Sequence, residues 1–259
     1  MFFDVNTAIG HWPFRKLANN DAASLRALLE SKGINGAAVA NTNGVFYMNC
    51  HDANLELAAE IKKHRNFFVG VATLNPTYPA WEKDLAYCVK VLGFKGLRLL
   101  PLYHNYDLLS PEAVAIAEAA ARLRIPVCVP QMLIDRRQKH WLDIEKHVAL
   151  EDLGRLCLRV PAVKFIFTEY RIQGKLTSEN GQPLYPNLYL EASRMRSAYG
   201  QELAQTARLI GGGHLLFGSG APFKEISPAI LKVECASLPQ KDKEKIAQGN
   251  GRKLFGLRG

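Results

Sequence analysis

Short apolar runs alternate with longer amphipathic ones along the whole chain. The strand-like runs are Phe2–Val5, Gly36–Ala40, Phe67–Leu74, Gly96–Leu100, Pro126–Pro130, Val163–Thr168, Leu188–Leu190 and Leu215–Gly218. Several are continuously apolar, the pattern of a parallel strand covered on both faces. Between them the spacing predicts helices. Ala22–Lys32 gathers Ala23, Leu25, Leu28 and Leu29, and Asn54–His64 gathers Leu55, Leu57, Ala58 and Ile61. Ser110-Pro111 marks a helix start, because Ser caps and Pro suits the first helical position. Tyr78-Pro79 is a weaker start of the same kind. From Ile172 to Pro186 turn residues replace any helical stripe, so a loop is expected there. Eight strand–helix repeats in order predict an α/β fold closed as a (β/α)8 TIM barrel, with residues 1–259 as a single domain.

A barrel of this kind has a typical length of about 250 residues, and the chain has 259, of which 48% are hydrophobic and 22% charged. That composition excludes disorder and small disulfide-stapled modules. No apolar run approaches the ~18 residues of a bilayer span, so no membrane partner is expected. The amino terminus, with Asp4 following Met1, Phe2 and Phe3, does not read as a secretory signal. The five cysteines (Cys50, Cys88, Cys128, Cys157 and Cys235) are odd in number and form no C-x-x-C pair. They suit reduced thiols in a cytoplasmic protein. The 33 basic against 24 acidic residues leave a net charge of +9. This excess is dispersed, and its densest run, Gln240–Lys245, is interrupted by Asp242 and Glu244. Nucleic acid is therefore the least favoured partner and a small anion the most favoured. A homo-oligomer is left open.

In such a barrel, chemistry sits at the carboxyl ends of the strands. Those ends carry Asn6, Asn41, Asn75, Arg98 with His104, Gln131, Glu169 with Arg171, Glu191 and Ser219. No G-x-S-x-G elbow surrounds Ser219, and no His–Asp pair is visible to activate it, so a serine hydrolase is disfavoured. The glycines of Gly211–His214 precede a strand and not a helix, which argues against a phosphate cradle. His51 beside Asp52 reads as the start of a helix.

Five segments, FFDVNTAIGHWPF, GFKGLRLLPLYHNYDL, NLYLEAS, LLFGSGAPF and KIAQGNGRKLFGL, follow one another in the order of a known family. Together they resemble the amidohydrolase-related family of metal-dependent TIM-barrel hydrolases and decarboxylases. That family's first strand reads D-x-H-x-H-x-G, and its last reads F-G-S-D-x-P. The resemblance implies a divalent metal held by histidines and an aspartate. In this chain those positions are Asn6 and Ala8 on the first strand, Gln131 on the fifth, Glu169 on the sixth and Gly220 on the last. Ala and Gly supply no donor atom, and Asn and Gln oxygens are poor zinc ligands. No cofactor is therefore expected, and a divalent site rebuilt around Glu169 with Glu191 or His51 is the alternative.

Positive charge is the expected replacement. Arg98, Arg171 and His104, with Arg15 nearby, should bind a small anionic substrate, assisted by Asn6, Gln131 and Glu191. Glu169 is the expected catalytic acid or base, with a pKa raised by burial. The resemblance implies hydrolysis or a C–C lyase step. The competing reading is a barrel without catalysis that binds a small carboxylate, a phosphate or a protein partner, with Arg98 and Glu169 as a structural ion pair.

Overall fold

Phe2–Ile9 forms the first strand, β1, and is buried along its whole length. It is followed by β2 (Ile34–Asn41), β3 (Phe68–Thr73), β4 (Gly96–Arg98), β5 (Val127–Pro130), β6 (Phe165–Thr168), β7 (Leu188–Glu191) and β8 (Leu215–Leu216). All eight neighbour one another in chain order, and every pairing is parallel. Backbone bonds from Val5 N to Phe217 O (3.1 Å), from Gly220 N to Asn6 O (2.9 Å) and from Ala8 N to Ala221 O (2.9 Å) close the ring. The expected TIM barrel is thus formed. This computed structural model describes residues 1–171, 174–196 and 201–257.

The helices are α1 (Ala22–Ser31), α2 (Cys50–Glu60), α3 (Trp81–Lys90), α4 (Pro111–Leu123), α5 (Leu150–Arg159), α6 (Glu202–Ile210), α7 (Ser227–Glu234), α8 (Gln240–Glu244) and α9 (Asn250–Leu254). Local chemistry sets several starts. Asp21 caps α1 by accepting from Ala23 N and Ser24 N, and Ser110 caps α4 ahead of Pro111. α2 begins a turn before the apolar stripe, because Asn49 accepts from His51 N and caps there. Its expected last turn, Ile61–His64, tightens to a 3₁₀ helix. β1 runs four residues beyond the apolar run, carrying Asn6 and Thr7 into the sheet, where Thr7 Oγ1 donates to Ala38 O (2.8 Å). The described part of 172–186 is loop, pinned by a bridge between Thr177 and Pro183, and residues 172–173 lie outside the described residues.

Three apolar layers follow from this arrangement. The largest lies between strands and helices. A second fills the barrel with Phe3, Val5, Ala38, Val71, Cys128, Ile166 and Leu216, floored by Phe255 after α9. The third caps the mouth with Trp12, Leu17, Val45 and Leu100, against which Phe14, Tyr103 and Phe223 pack. Register shifts on either side of Asp4 let Val5 pack inward while Asn6 reaches the site above it, the re-aiming role of a strand irregularity.

Buried polar side chains fasten the frame. Asn187 Nδ2, just ahead of β7, donates to Cys157 O (3.0 Å), Val160 O (3.2 Å) and Val163 O (2.9 Å). It ties the end of α5 to the approach of β6. Asn187→Ala removes these bonds and should cost about 1–3 kcal/mol. Urea denaturation checks this, and an unchanged midpoint would show that the carbonyls find other partners.

Candidate active site

The carboxyl ends of β1, β4, β6 and β7 converge on one buried cluster. Asn6 is its hub. Its Nδ2 donates to Glu169 Oε1 (2.7 Å) and Glu191 Oε2 (3.3 Å), and its Oδ1 accepts from Arg98 Nη2 (3.1 Å). Glu169 follows β6 with φ +56°, a left-handed conformation that costs a non-glycine residue about 1 kcal/mol or more. It is held there by its own N–H, which donates to Glu191 Oε2 (2.9 Å).

Two cations complete the cluster. Arg194 Nε and Lys224 Nζ both donate to Glu169 Oε2, at 2.5 and 2.8 Å. Arg194 also reaches Asp135 Oδ2 (2.9 Å), and Lys224 reaches Ser193 Oγ (2.6 Å). Ser193 in turn donates from Oγ to Glu191 Oε2 (3.0 Å) and from its backbone N–H to Oε1. Gly220, at φ +74°, makes room for this. A Cβ at that position would lie 2.2 Å from Lys224 Cε and 2.6 Å from Glu169 Oε1.

The electrostatics follow from these contacts. Burial works to raise the Glu169 carboxyl, but the charges of Lys224 and Arg194 outweigh it and hold Glu169 below the usual carboxylate range. This corrects the expected raised value: Glu169 is ionised and is no acid at neutral pH. Glu191 moves the other way, raised by burial and by the neighbouring charge of Glu169. Asp135 is held well below its ordinary value, chiefly by its bond to Arg137. Burial lowers the Lys232 amine, which donates to Ser193 O, to about 8.

Arg98 is different. Its guanidinium is buried, yet its bond to Asn6 is its one side-chain hydrogen bond among the described residues, and it forms no salt bridge there. The Arg98–Glu169 ion pair of the competing reading is not formed; Glu169 pairs with Arg194 and Lys224 instead. Arg98 and Glu169 line a cavity of about 20 Å³ with Asn6, Thr42, Trp12 and Phe223. That is room for about one water. A groove of about 790 Å³ beside Met1, Asn35 and Arg252 opens near the start of the strands, and one of about 590 Å³ lies beside Ile9, Asn41 and Glu56 at the ends of β1 and β2; neither is lined by these groups.

Other expected site residues stand apart from the cavity wall. Arg171 is exposed, and only its backbone N–H turns inward, donating to Gln131 Oε1 (2.9 Å). Gln131 therefore fastens the loop after β6. His104 Nε2 lies 3.1 Å from Gly44 O and supports the turn after β2, with burial lowering its pKa. Arg15 bonds Gln138 Oε1 (2.9 Å) and Phe223 O (3.2 Å) on the rim. The sequence reading overlooked Arg194 and Lys224. The signal available was Gly220: a missing side chain at a strand end leaves space that a long neighbour fills.

The sequence profile of the Amidohydrolase family matches residues 4–257. The chain belongs to the amidohydrolase family. Among solved structures, this member of the amidohydrolase family is similar to 2,6-dihydroxybenzoate decarboxylase from Rhizobium (17% identity, TM-score 0.74, covering 100% of this chain and 99% of that one). It is also similar to a dihydroxybenzoic acid decarboxylase from Polaromonas sp. JS666 with bound manganese and the inhibitor 2-nitroresorcinol (19% identity, TM-score 0.75, 100% and 98% covered). A third is a probable 2-pyrone-4,6-dicarboxylic acid hydrolase from Acinetobacter baumannii with citric acid bound (14% identity, TM-score 0.66, 99% of each chain). At these identities the likeness is one of fold.

A metal of the kind bound in the Polaromonas structure does not fit the residues present. Among the described residues no group of three His, Cys, Asp or Glu could hold a metal ion. The oxygens facing the mouth are already accepting: Asn6 Oδ1 from Arg98, Gln131 Oε1 from Arg171 N, and both oxygens of Glu169 and of Glu191 from the donors above. Ala8 and Gly220 bring no donor atom.

Asp4 lies beneath the cluster. Its Oδ1 accepts from Asn6 N and Ser219 N (3.0 Å each), while Oδ2 is buried without a partner among the described residues. Burial pushes its carboxyl up to about 7, against the pull of the Ser219 and Asn6 hydrogen bonds. Between pH 4 and 7 the folded chain therefore binds a proton that the unfolded chain releases, and stability falls as pH rises through that window. Asp4→Asn removes the dependence. Its stability relative to the wild type should climb by up to about 4 kcal/mol from pH 4 to pH 7 and then level off. Urea melts across that range measure it; a constant difference would mean that Asp4 is ionised throughout.

Proposed function

We propose that the barrel mouth binds the carboxylate of a small anionic molecule on Arg98 and performs a hydrolase or C–C lyase step there. The observation that carries this reading is the Arg98 guanidinium, buried at the cavity wall with one side-chain hydrogen bond, to Asn6, and no salt bridge among the described residues. A charge-assisted, bidentate bond to a carboxylate is the pairing such a group lacks. Fold relatives agree in kind, since solved structures among them hold 2,6-dihydroxybenzoate or citric acid.

The residues divide the work. Arg98 and Asn6 orient the carboxylate. Glu169, ionised at the cavity wall, is the base toward a water or a hydroxyl, and Glu191 holds the Glu169 backbone and Asn6 in place by accepting from both. Lys224, bonded to Glu169 Oε2, is the cation that keeps Glu169 charged. The usual family metal is replaced in this reading, and the reaction belongs to a single domain with no nucleic-acid partner.

The cavity size favours a second reading. With Trp12 and Phe223 in place there is room for about one water, so a ligand enters only if that aromatic cover moves. A cover that stays shut makes the barrel a non-catalytic scaffold.

Calorimetric titration with benzoate, dihydroxybenzoates, malonate and citrate separates the two. At least one should bind the wild type, and Arg98→Met should weaken it by about 10- to 100-fold. Release of carbon dioxide or of a hydrolysis product from the bound compound then establishes turnover. Equal affinity for wild type and Arg98→Met would place the anion elsewhere, and no binding across the panel would favour the scaffold.

A further inference from the structure

The mouth holds two glutamates within reach of one asparagine, and burying such a pair requires a cation. We propose that the Lys224 ammonium is that cation: a resident charge, carried on the chain, that does at this mouth what an exchangeable metal ion would otherwise do.

Three independent features support it. The first is contact. Nζ donates to Glu169 Oε2 (2.8 Å) and to Ser193 Oγ (2.6 Å), and Ser193 Oγ donates onward to Glu191 Oε2 (3.0 Å). One ammonium thus serves one glutamate directly and the other through a hydroxyl, with every donor and acceptor correctly matched. The second is space. Gly220 and Lys224 are a matched pair, since a side chain at 220 would collide with Lys224 Cε at 2.2 Å. The lysine stem occupies the volume that a side chain at 220 would take. The third is chemistry. An ammonium is a hydrogen-bond donor and needs only acceptors, which Glu169 and Ser193 are. A divalent ion of this kind needs several imidazole, thiolate or carboxylate ligands, and no such group of three is present among the described residues. Arg194, tied on its other side to Asp135, reinforces the charge but cannot replace it, because it reaches neither Ser193 Oγ nor Glu191 by a hydrogen bond among the described residues.

This assignment does not depend on what Arg98 binds. It predicts a mouth indifferent to chelators and to added divalent ions, and dependent on an amine at this one place. The Lys224 side chain retains 20% exposure, so a small amine can reach its position once the side chain is shortened.

Thermal melts of the full chain provide the test, using wild type, Lys224→Ala and Lys224→Met. Each is melted with EDTA, manganese chloride, n-propylammonium chloride or tetramethylammonium chloride at matched ionic strength. Wild-type Tm should be the same in all four. Both variants should melt about 5–15 °C lower in EDTA. Propylammonium supplies the three carbons and the amine that Lys224→Ala removes, so it should restore at least half of that variant's loss. It should do nothing for Lys224→Met, whose side chain still fills the space, and tetramethylammonium should help neither. A saturable rise of wild-type Tm with manganese would overturn the proposal. So would a Lys224→Met protein as stable as wild type, or a Lys224→Ala loss that propylammonium leaves in place. Should Lys224→Ala not fold, the wild-type and Lys224→Met melts decide by the same criteria.

Discussion

The ion pair between Glu169 and the two cations that hold it, Lys224 and Arg194, governs the rest of the mouth. A carboxylate buried at a barrel end survives only if its charge is matched, and removing one partner of such a pair typically costs about 3–5 kcal/mol. Here the match is made from loops after β7 and β8, and Gly220 is the residue that admits it. Because Glu169 is satisfied from that side, it does not turn to Arg98 on β4. The guanidinium of Arg98 is left facing the cavity with donors to spare. Charge neutralisation on one wall thus leaves Arg98 on the other for the anion that the proposed function places there.

The barrel makes this division geometrically firm. Parallel strands place Asn6, Arg98, Glu169 and Glu191 on rigid ends, and Asn6 links three of them at once. Loops supply the adjustable partners, Arg194 and Lys224. Over them Trp12 packs edge-on to Phe14 and Phe223, at ring distances of 5.8 and 5.3 Å. This dry cover lowers the local dielectric, which strengthens every pairing beneath it and raises the cost of any charge left alone. Arg98, which forms no salt bridge among the described residues, is the feature under such a cover that most needs a ligand.

All eight strands were legible in the apolar runs, because a parallel strand buried on both faces leaves an unmistakable pattern. Asn6, Arg98, Glu169 and Glu191 were legible as polar residues ending those runs. The start of α2, capped by Asn49, was marked by His51 beside Asp52 and not by the apolar stripe. Two things were not legible. Arg171 follows Glu169 by two residues, but the left-handed backbone at Glu169 and the anchoring of Arg171 N by Gln131 leave the Arg171 side chain exposed. Lys224 and Arg194 lie beyond the strand ends, where no periodicity marks which long side chain folds back. Their effect on Glu169 reversed the expected direction of its pKa: burial alone predicts a rise, and only the paired charges explain the fall.

The most direct test of this account is a crystal structure grown in excess manganese with a small aromatic carboxylate, recorded at a wavelength that reveals manganese by anomalous scattering. The account predicts the carboxylate bonded to Arg98, the Lys224 ammonium on Glu169 and Ser193, and no anomalous peak at the mouth. An anomalous peak coordinated by Glu169, with Lys224 swung away from it, would contradict the account.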